Sequence, residues 1–396
     1  MMRSRATTGP TRPYLTAMIA LCGALSLFML VSLIAAPGRL NSDFMAFWAY
    51  PRFIAAHDPA ALYDSAQLQA FEQQLYAGFH SFYPYLYPPT LLLTLSWLRA
   101  LPFGAAELAW GALGIGALAL ACRAAFPGHA RVVLAALLAS PAALLCLATG
   151  ETGLFTTALL LAGFAALPRA PLLAGLWFGL LTLKPQLGVM LPFFLLARRE
   201  VKAILAACLT ALVLNGASAL IYPARLWRLW WRTLPAYQDS YFHAAKALNL
   251  NILITPSANI VALGGSIGLA WAVQMLCALA MAGVVIWAAR RAPYRLAVAV
   301  TLVAGFLAQP HAYAYDSIAV VAALALALEA RPGAIWVALG MATYLAPLLL
   351  LSPWHRAFID APLLAACLTG IITLAFAARN GADSNHEPDP LLPPLA

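Results

Sequence analysis

The chain has 396 residues, of which 63% are hydrophobic and only 9% are charged, and its formal net charge is +9. This composition excludes an ordinary soluble globular protein and indicates a polytopic membrane protein. The basic residues argue against nucleic-acid binding because they are scattered at the ends of apolar segments, as at Arg198-Arg199 and Arg290-Arg291, where membrane proteins carry topology determinants. The six cysteines lie in or beside apolar segments without paired spacing, so we expect no disulfide framework, metal site or cofactor.

The first apolar segment, residues 14–36, predicts that the N-terminus lies in the cytoplasm. Three arginines precede it within residues 1–13, and positive charge favours the cytoplasmic side. A cleaved signal peptide is the competing interpretation, since Ala35-Ala36 is typical of a cleavage site, but the apolar run is longer than the usual signal core. We therefore predict a retained anchor followed by an outward-facing loop.

That outward loop, residues 37–87, carries Asp43 close to the membrane boundary. Apolar residues at helical spacing over 44–56 and 60–76 predict short helices that lie in the interface. A small extramembrane cap without chemistry is the alternative for the loop as a whole. A carboxylate at Asp43 stands where water, headgroups and a lipid-linked substrate meet, although an aspartate in this position also caps helices.

Apolar segments with short connections then continue to residue 378, which predicts one all-α membrane domain over residues 14–378 with about twelve transmembrane helices. The polar residues 379–396 are predicted to form a disordered cytoplasmic tail. After the first segment, the predicted spans are 88–101, 104–122, 132–149, 153–167, 171–197, 203–222, a partial span at 252–263, then 268–289, 296–309, 317–329, 333–351 and 362–378.

A second long outward loop, residues 223–251, interleaves three tryptophans with Arg225, Arg228 and Arg232. Indole rings and snorkelling guanidinium groups both favour the headgroup layer. The pattern leaves two interpretations open, a plain aromatic belt and a site that holds a lipid phosphate.

Lys184 lies near the middle of the apolar segment 171–197, roughly 20 Å from either end of a straight helix and too deep to snorkel to water. Pro185 predicts that the helix is broken there. A helix start beside a lysine suits a phosphate, whereas the alternative is a structural lysine paired with a buried carbonyl or with Glu151. A polar turn at 309–316, with His311 and Asp316, separates two later spans; any turn needs polar residues, so the turn alone is weak evidence of function.

Five motifs follow one another along the chain: Ser42-Asp43-Phe44, Tyr85-Leu86-Tyr87-Pro88-Pro89, Leu183-Lys184-Pro185-Gln186, the segment 249–257 and Pro310-His311. In their order and membrane placement they resemble glycosyltransferase family 87, whose members are polytopic enzymes of the GT-C type and include polyprenol-phosphate-mannose-dependent mannosyltransferases. The chain differs from the family at Gly150-Glu151-Thr152, where Gly-Gln is commoner.

The resemblance implies a GT-C-like bundle, an outward-facing active site at the plasma membrane and an aspartate that carries the chemistry. It also implies a polyprenyl phosphate sugar donor, with mannose as the expected hexose, and a glycolipid or glycan acceptor. The expected catalytic residues are Asp43 and His311. The expected donor or acceptor binding residues are Tyr87, Lys184, Gln186, Arg228, Arg232, Asn249, Asn251 and Asp316.

The residue chemistry agrees with a single-base mechanism. The leaving group is an anionic phosphate, which Lys184 or an arginine of the 223–251 loop can stabilise without a metal. Asp43 would take the proton of the acceptor hydroxyl, His311 would orient or electrostatically tune it, and one base without a covalent nucleophile predicts an inverting displacement.

Two other functions suit a chain with many spans. A transporter or lipid flippase would also use a broken helix and an intramembrane lysine, and a noncatalytic membrane scaffold is the third candidate. No repeat relates the two halves of the sequence, and the ionisable residues gather on the predicted outer side. Both observations favour the enzyme.

Overall fold

The computed structural model describes residues 43–75, 84–234, 253–330, 332–351 and 360–385, together with residues 23, 24, 27, 28 and 31. Over these ranges the chain is helical without a named strand, and its only extended pairing is an isolated bridge between Leu253 and Tyr313. The predicted all-α class is confirmed for this part of the chain. Most of the predicted first span, Asn249, Asn251 and the end of the tail lie outside the described residues.

The first outward loop folds into short helices, as predicted. Helix α1 spans Phe44–Ala56, a 3-10 turn spans Pro59–Tyr63 and helix α2 spans Ser65–Leu75. The turn begins at Asp58, whose carboxylate accepts a hydrogen bond from the Ala60 amide at 3.0 Å. The location of these helices in a membrane interface stays a prediction.

Helix α1 is anchored at its far end by Arg52. The guanidinium donates to the carbonyls of Trp48, Leu98, Arg99 and Leu101 at 2.7 to 3.2 Å, and it stacks 3.6 Å from the Trp48 ring centroid. Because a planar guanidinium presents several fixed donors at once, one side chain ties α1 to the segment before the next long helix. This fixes the direction of α1 and hence the position of its first residues.

The remaining chain forms a bundle of helices joined mostly by short turns. Its helices are α3 (Leu91–Leu95), α4 (Phe103–Ala125), α5 (Ala130–Leu138), α6 (Pro141–Thr149), α7 (Gly153–Ala166), α8 (Pro171–Leu180), α9 (Leu191–Ala197), α10 (Val201–Ile221), α11 (225–234), α12 (Pro256–Ala262), α13 (Ile267–Arg291), α14 (Tyr294–Ala308), α15 (Ile318–Leu328), α16 (Ala334–Leu345) and α17 (Asp360–Asn385).

The helices fit a multi-pass membrane protein, but the predicted count of about twelve spans is not confirmed. Among the described residues, four helices are long and apolar enough to cross a membrane, namely Phe103–Ala125, Val201–Ile221, Ile267–Arg291 and Asp360–Asn380. A fifth is counted if the bent pair α5 and α6 forms one span. The other apolar helices have 10 to 17 residues, so length and composition alone do not assign them as spans.

The structure differs from the prediction at two boundaries. The predicted span 132–149 consists of two helices bent by 62°, because Ser140 caps α6 through the Ala143 amide and Pro141 occupies its first turn. Helix α17 continues to Asn385, into the predicted tail, and its single proline, Pro362, lies in the first turn, where proline is tolerated. The predicted break at Lys184 is confirmed, because α8 and α9 are separated by 3-10 turns at Leu181–Leu183 and Pro185–Gly188.

Helix α14 is the centre of the bundle. Its residues from Leu296 to Ala308 are all buried, and it packs against α13, α15 and α17. Apolar helices surround α14 and account for this burial. Because α14 itself has no polar face, none of its sides favours water. The turn that follows α14, residues 309–316, therefore emerges from the middle of the bundle at one end.

Candidate active site

Four chain segments meet at that end of the bundle. They are the start of α1, the segment around Tyr87, the turn 150–152 between α6 and α7, and the turn 309–316. The break at Lys184 faces the same place, because the lysine contacts residues of two of these segments. The site is thus assembled from residues far apart in sequence.

Lys184 is the centre of a buried ionic cluster. Its ammonium lies 2.8 Å from Asp316 Oδ1 and 3.5 Å from Glu151 Oε2, and the lysine side chain is only 3% exposed. The Tyr315 ring centroid is 5.0 Å from the ammonium. Lys184 therefore pairs with Glu151, as in the structural alternative to phosphate binding, and Asp316 is a second and closer partner.

The local sequence explains why Lys184 reaches this cluster. Its backbone is non-helical, with φ −142° and ψ 71°, as is expected for the residue before a proline. The chain therefore leaves the axis of α8 and directs the lysine side chain into the bundle. A straight helix through residues 171–197 would hold this charge in its middle, without the backbone turn that directs the side chain into the bundle.

Glu151 is held by a turn that fits closely against α1. Gly150 has φ +72°, and a Cβ at that residue would lie 2.3 Å from Phe44 Cβ, so only glycine satisfies both the conformation and the contact. The Trp110 indole donates to the Gly150 carbonyl at 2.9 Å. Glu151 accepts hydrogen bonds from Tyr87 Oη at 3.3 Å and from the Thr152 amide at 3.1 Å.

Asp43 is the residue before Phe44 and precedes α1 at its N-terminus. It is half-buried, and its side chain makes no capping hydrogen bond to the helix, so the capping alternative is not supported. Burial raises the pKa of Tyr87 and of Tyr315 well above the usual value, and among the nearby carboxylates that act in the same direction are Glu151 and Asp43. Phe44, the next residue, packs against Gly150, which precedes Glu151, so Asp43 lies near the Lys184 cluster.

The turn 309–316 is fixed by neighbours on both sides. A Cβ at Gly153 would lie 2.3 Å from the Tyr315 carbonyl oxygen, which shows how closely the start of α7 approaches the turn. On the other side the Ile254 amide donates to the Ala312 carbonyl at 2.9 Å. Burial lowers the pKa of His311 to about 4, so its imidazole is neutral at pH 7 and can orient a neighbour but not supply positive charge.

The structure separates the predicted binding residues. Tyr87 and Asp316 join the Lys184 cluster, whereas Gln186 is half-buried in the 3-10 turn Pro185–Gly188. Arg228 and Arg232 are exposed on α11. Asn249 and Asn251 lie outside the described residues.

Helix α11 is attached to the site segments by two contacts. Trp230 Nε1 donates to the Leu86 carbonyl at 3.0 Å, next to Tyr87. Arg225 forms an exposed ion pair with Asp58. These contacts hold the exposed arginines of α11 beside the first outward loop.

One polar side chain of the site, Gln309, was not predicted from the sequence. Both of its amide atoms are buried without a hydrogen-bond partner among the described residues, and so is the second carboxylate oxygen of the predicted Asp316. Buried polar groups normally find partners, so these atoms have free capacity for water or a ligand. The sequence signal for Gln309 is a polar residue between the apolar helix α14 and Pro310. This signal is not specific, because residues at helix ends are often polar.

The electrostatics of the cluster favour cations. Glu151 and Asp316 supply two carboxylates, and Lys184 supplies one ammonium. The cluster therefore carries one excess negative charge when all three groups are ionised, and Asp43 adds another nearby. A site of this sign stabilises positive charge that develops on a bound substrate.

Comparison with known proteins gives one finding. The family model of glycosyltransferase family 87 matches residues 85–310, which is 226 of the 396 residues, and the match includes Tyr87, Glu151 and Lys184. No curated protein and no solved structure matches the chain. A family model that covers more than half of an all-helical, apolar chain establishes the membership that the motifs predicted: the chain belongs to glycosyltransferase family 87.

Proposed function

We propose that this membrane glycosyltransferase transfers a hexose, with mannose as the first candidate, from a polyprenyl phosphate donor to an acceptor hydroxyl on the outer face of the plasma membrane. The observation that supports the proposal is the position of Asp43 near the Lys184 cluster, since the next residue, Phe44, packs against the turn that carries Glu151. Such a site gives a lipid-linked donor and a general base a common location.

The reaction needs one base and one leaving group. The acceptor oxygen forms a bond to the anomeric carbon while the bond from that carbon to the phosphate oxygen breaks, and the bonding electrons leave with the phosphate. Asp43 takes the acceptor proton. The transition state has oxocarbenium character, and the excess negative charge of Glu151 and Asp316 stabilises it.

The arginines of α11 are better suited than Lys184 to bind the donor phosphate. Two carboxylates already balance the Lys184 charge, and an anion would be repelled by their excess. Arg228 and Arg232 are exposed and lie on a helix attached to the Tyr87 segment. Guanidinium groups bind phosphate oxygens in a bidentate way, so we assign the phosphate to these arginines and the sugar to the Lys184 cluster.

The test is transfer by the purified protein in lipid vesicles. Radiolabelled mannose, glucose and galactose are offered as polyprenyl phosphate sugars and, as a matched control, as nucleotide sugars, with a panel of glycolipid acceptors. We expect labelled product from a polyprenyl phosphate sugar, mannose first. Labelled product only from nucleotide sugars would refute the donor class, and vectorial movement of an unreacted lipid would favour a flippase.

The outward orientation has its own test. Single cysteines replace His57 and Trp231, both exposed, in a protein without native cysteines, and Lys202→Cys on α10 is the matched control for the opposite side. We expect an impermeant thiol reagent to label the first two in intact cells and Lys202→Cys only after lysis, because basic clusters prefer the cytoplasm. The reverse pattern would overturn the proposed sidedness.

A further inference from the structure

The chain segment 84–88, which carries Tyr87 into the active site, is held in place from several sides. Three tyrosine hydroxyls donate hydrogen bonds to its backbone carbonyls at 2.9 to 3.4 Å, namely Tyr50 to Pro84, Tyr63 to Tyr87 and Tyr85 to Pro88. Because the side chains of Tyr50 and Tyr85 are only 1% exposed, the packed interior fixes their hydroxyls in place. The segment is therefore a rigid support for a helix that attaches to it.

Helix α11 is attached to this segment through one of its faces. Trp230 Nε1 donates to the Leu86 carbonyl at 3.0 Å. One helical turn earlier, Leu226 is fully buried in a hydrophobic cluster that includes Phe44 and Tyr85, and residues four apart share a helix face. A hydrogen bond is directional, whereas apolar packing is not, so the indole N–H determines how α11 is rotated on the segment.

The arginines assigned to the donor phosphate lie on a different face of the same helix. Arg228 and Arg232 are exposed and one turn apart. Each follows a residue of the attached face, Leu226 or Trp230, by two positions, which places it roughly 200° around the helix from that face. A rotation or shift of α11 against the segment 84–88 therefore moves both guanidinium groups together.

The segment also connects α11 to the ionic cluster. Tyr87, the residue after Leu86, donates from its hydroxyl to Glu151 Oε2 at 3.3 Å, and the same carboxylate oxygen lies 3.5 Å from the Lys184 ammonium. A continuous series of contacts thus links Trp230 to the cluster that is proposed to hold the sugar. The distance between the phosphate site and the sugar site depends on the first of these contacts.

We propose that Trp230 is a positioning residue for the lipid-linked donor, an inference that rests on the proposed function. Its bond to the Leu86 carbonyl sets the separation between the phosphate at the α11 arginines and the sugar at the ionic cluster. Trp230 acts through α11 and not through contact with the reacting atoms. A displacement of about 1 Å in a bound substrate can cost on the order of a hundredfold in rate, so loss of this bond impairs transfer while the phosphate site on α11 stays intact.

Trp230→Phe removes the indole N–H and keeps an aromatic ring. The matched control is Trp227→Phe on the same helix, because Trp227 Nε1 is buried without a hydrogen-bond partner among the described residues. Both variants and wild type are assayed in lipid vesicles with decaprenyl phosphate mannose. We expect Trp230→Phe to lower kcat about tenfold, the scale for a shift of less than about 1 Å, and Trp227→Phe to leave kcat unchanged.

Decaprenyl phosphate without a sugar separates positioning from a structural role. It needs only the phosphate site on α11, so its Kd, measured from the ligand dependence of the unfolding midpoint, should be the same in all three proteins. Equal kcat in Trp230→Phe and Trp227→Phe would refute the inference, as would a parallel loss of decaprenyl phosphate affinity in Trp230→Phe. No transfer by wild type from any polyprenyl phosphate sugar would instead refute the proposed function, and the inference with it.

Arg225→Gln provides the test if Trp230→Phe unfolds. Arg225 forms an exposed ion pair with Asp58, a second contact between α11 and the first outward loop, and its removal leaves the protein interior undisturbed. Exposed ion pairs contribute little, so kcat should fall only about threefold, again with unchanged decaprenyl phosphate affinity. An unchanged kcat in this variant would refute the inference that the attachment of α11 sets the donor geometry.

Discussion

Replacing Asp43 by asparagine is expected to lower turnover at least about a hundredfold, the usual scale of general-base catalysis. Asparagine has nearly the same size but cannot take the acceptor proton. Its cost to folding should be small, because the Asp43 side chain makes no capping bond to α1 and asparagine suits this position equally well. The measurement is kcat at saturating donor, with donor KM and the unfolding midpoint determined on the same preparation.

The matched control is Asp64→Asn in the same loop. Asp64 caps α2, since its carboxylate accepts from the amides of Ala66 and Gln67 at 3.0 and 3.2 Å, and it is exposed. This variant should keep full turnover. Turnover of Asp43→Asn within a few fold of wild type would remove Asp43 from the mechanism and direct attention to Asp58, His311 or Asp316.

Lys184→Met is expected to destabilise the protein by about 3 to 5 kcal/mol, the cost of removing one partner from a buried ion pair. Asp316 would lose its 2.8 Å contact and Glu151 its 3.5 Å contact, which leaves two carboxylates without a cation. The measurement is the free energy of unfolding in detergent. An unchanged stability would mean that the cluster is not charged as its geometry indicates.

A double variant separates stability from donor binding. Lys184→Met with Asp316→Asn removes one charge of each sign and should recover part of the lost stability, because Glu151 keeps its bonds to Tyr87 and Thr152. Donor affinity measured in this variant then reports on sugar binding rather than on unfolding. If Lys184 held the donor phosphate directly, the free energy of donor binding would weaken by about 2 to 3 kcal/mol, the range for a charge-assisted hydrogen bond. In our assignment, Arg228→Met or Arg232→Met causes that loss of donor affinity instead.

Local signals predicted most of the helices. The bounds of α1 follow from apolar spacing, and the break after α8 follows from Pro185 beside a lysine that no straight helix could carry to water. The break between α5 and α6 had a signal too, because Ser140-Pro141 is a cap followed by a first-turn proline, but the apolar composition on both sides concealed it. Where composition is uniform, a two-residue signal decides the geometry.

The ionic cluster was only partly predictable. Lys184 needed a partner, and Glu151 was one of the partners considered, but Asp316 is separated from Lys184 by 132 residues. No pattern of spacing links residues at that distance; only the packing of α14 in the middle of the bundle brings the turn 309–316 to the helix break. The charge balance of the site, on which the proposed assignment of the phosphate to α11 rests, depends on that contact.

Gly150 limits how this enzyme can be re-engineered. Its missing side chain is what lets Phe44 lie against the turn that carries Glu151, so the distance between Asp43 and the ionic cluster is set by a backbone fit. A methyl group there would push α1 outward at Asp43 while Arg52 holds the opposite end in place. Attempts to change the acceptor specificity should therefore leave Gly150 and Phe44 unchanged and vary exposed loop residues such as His57.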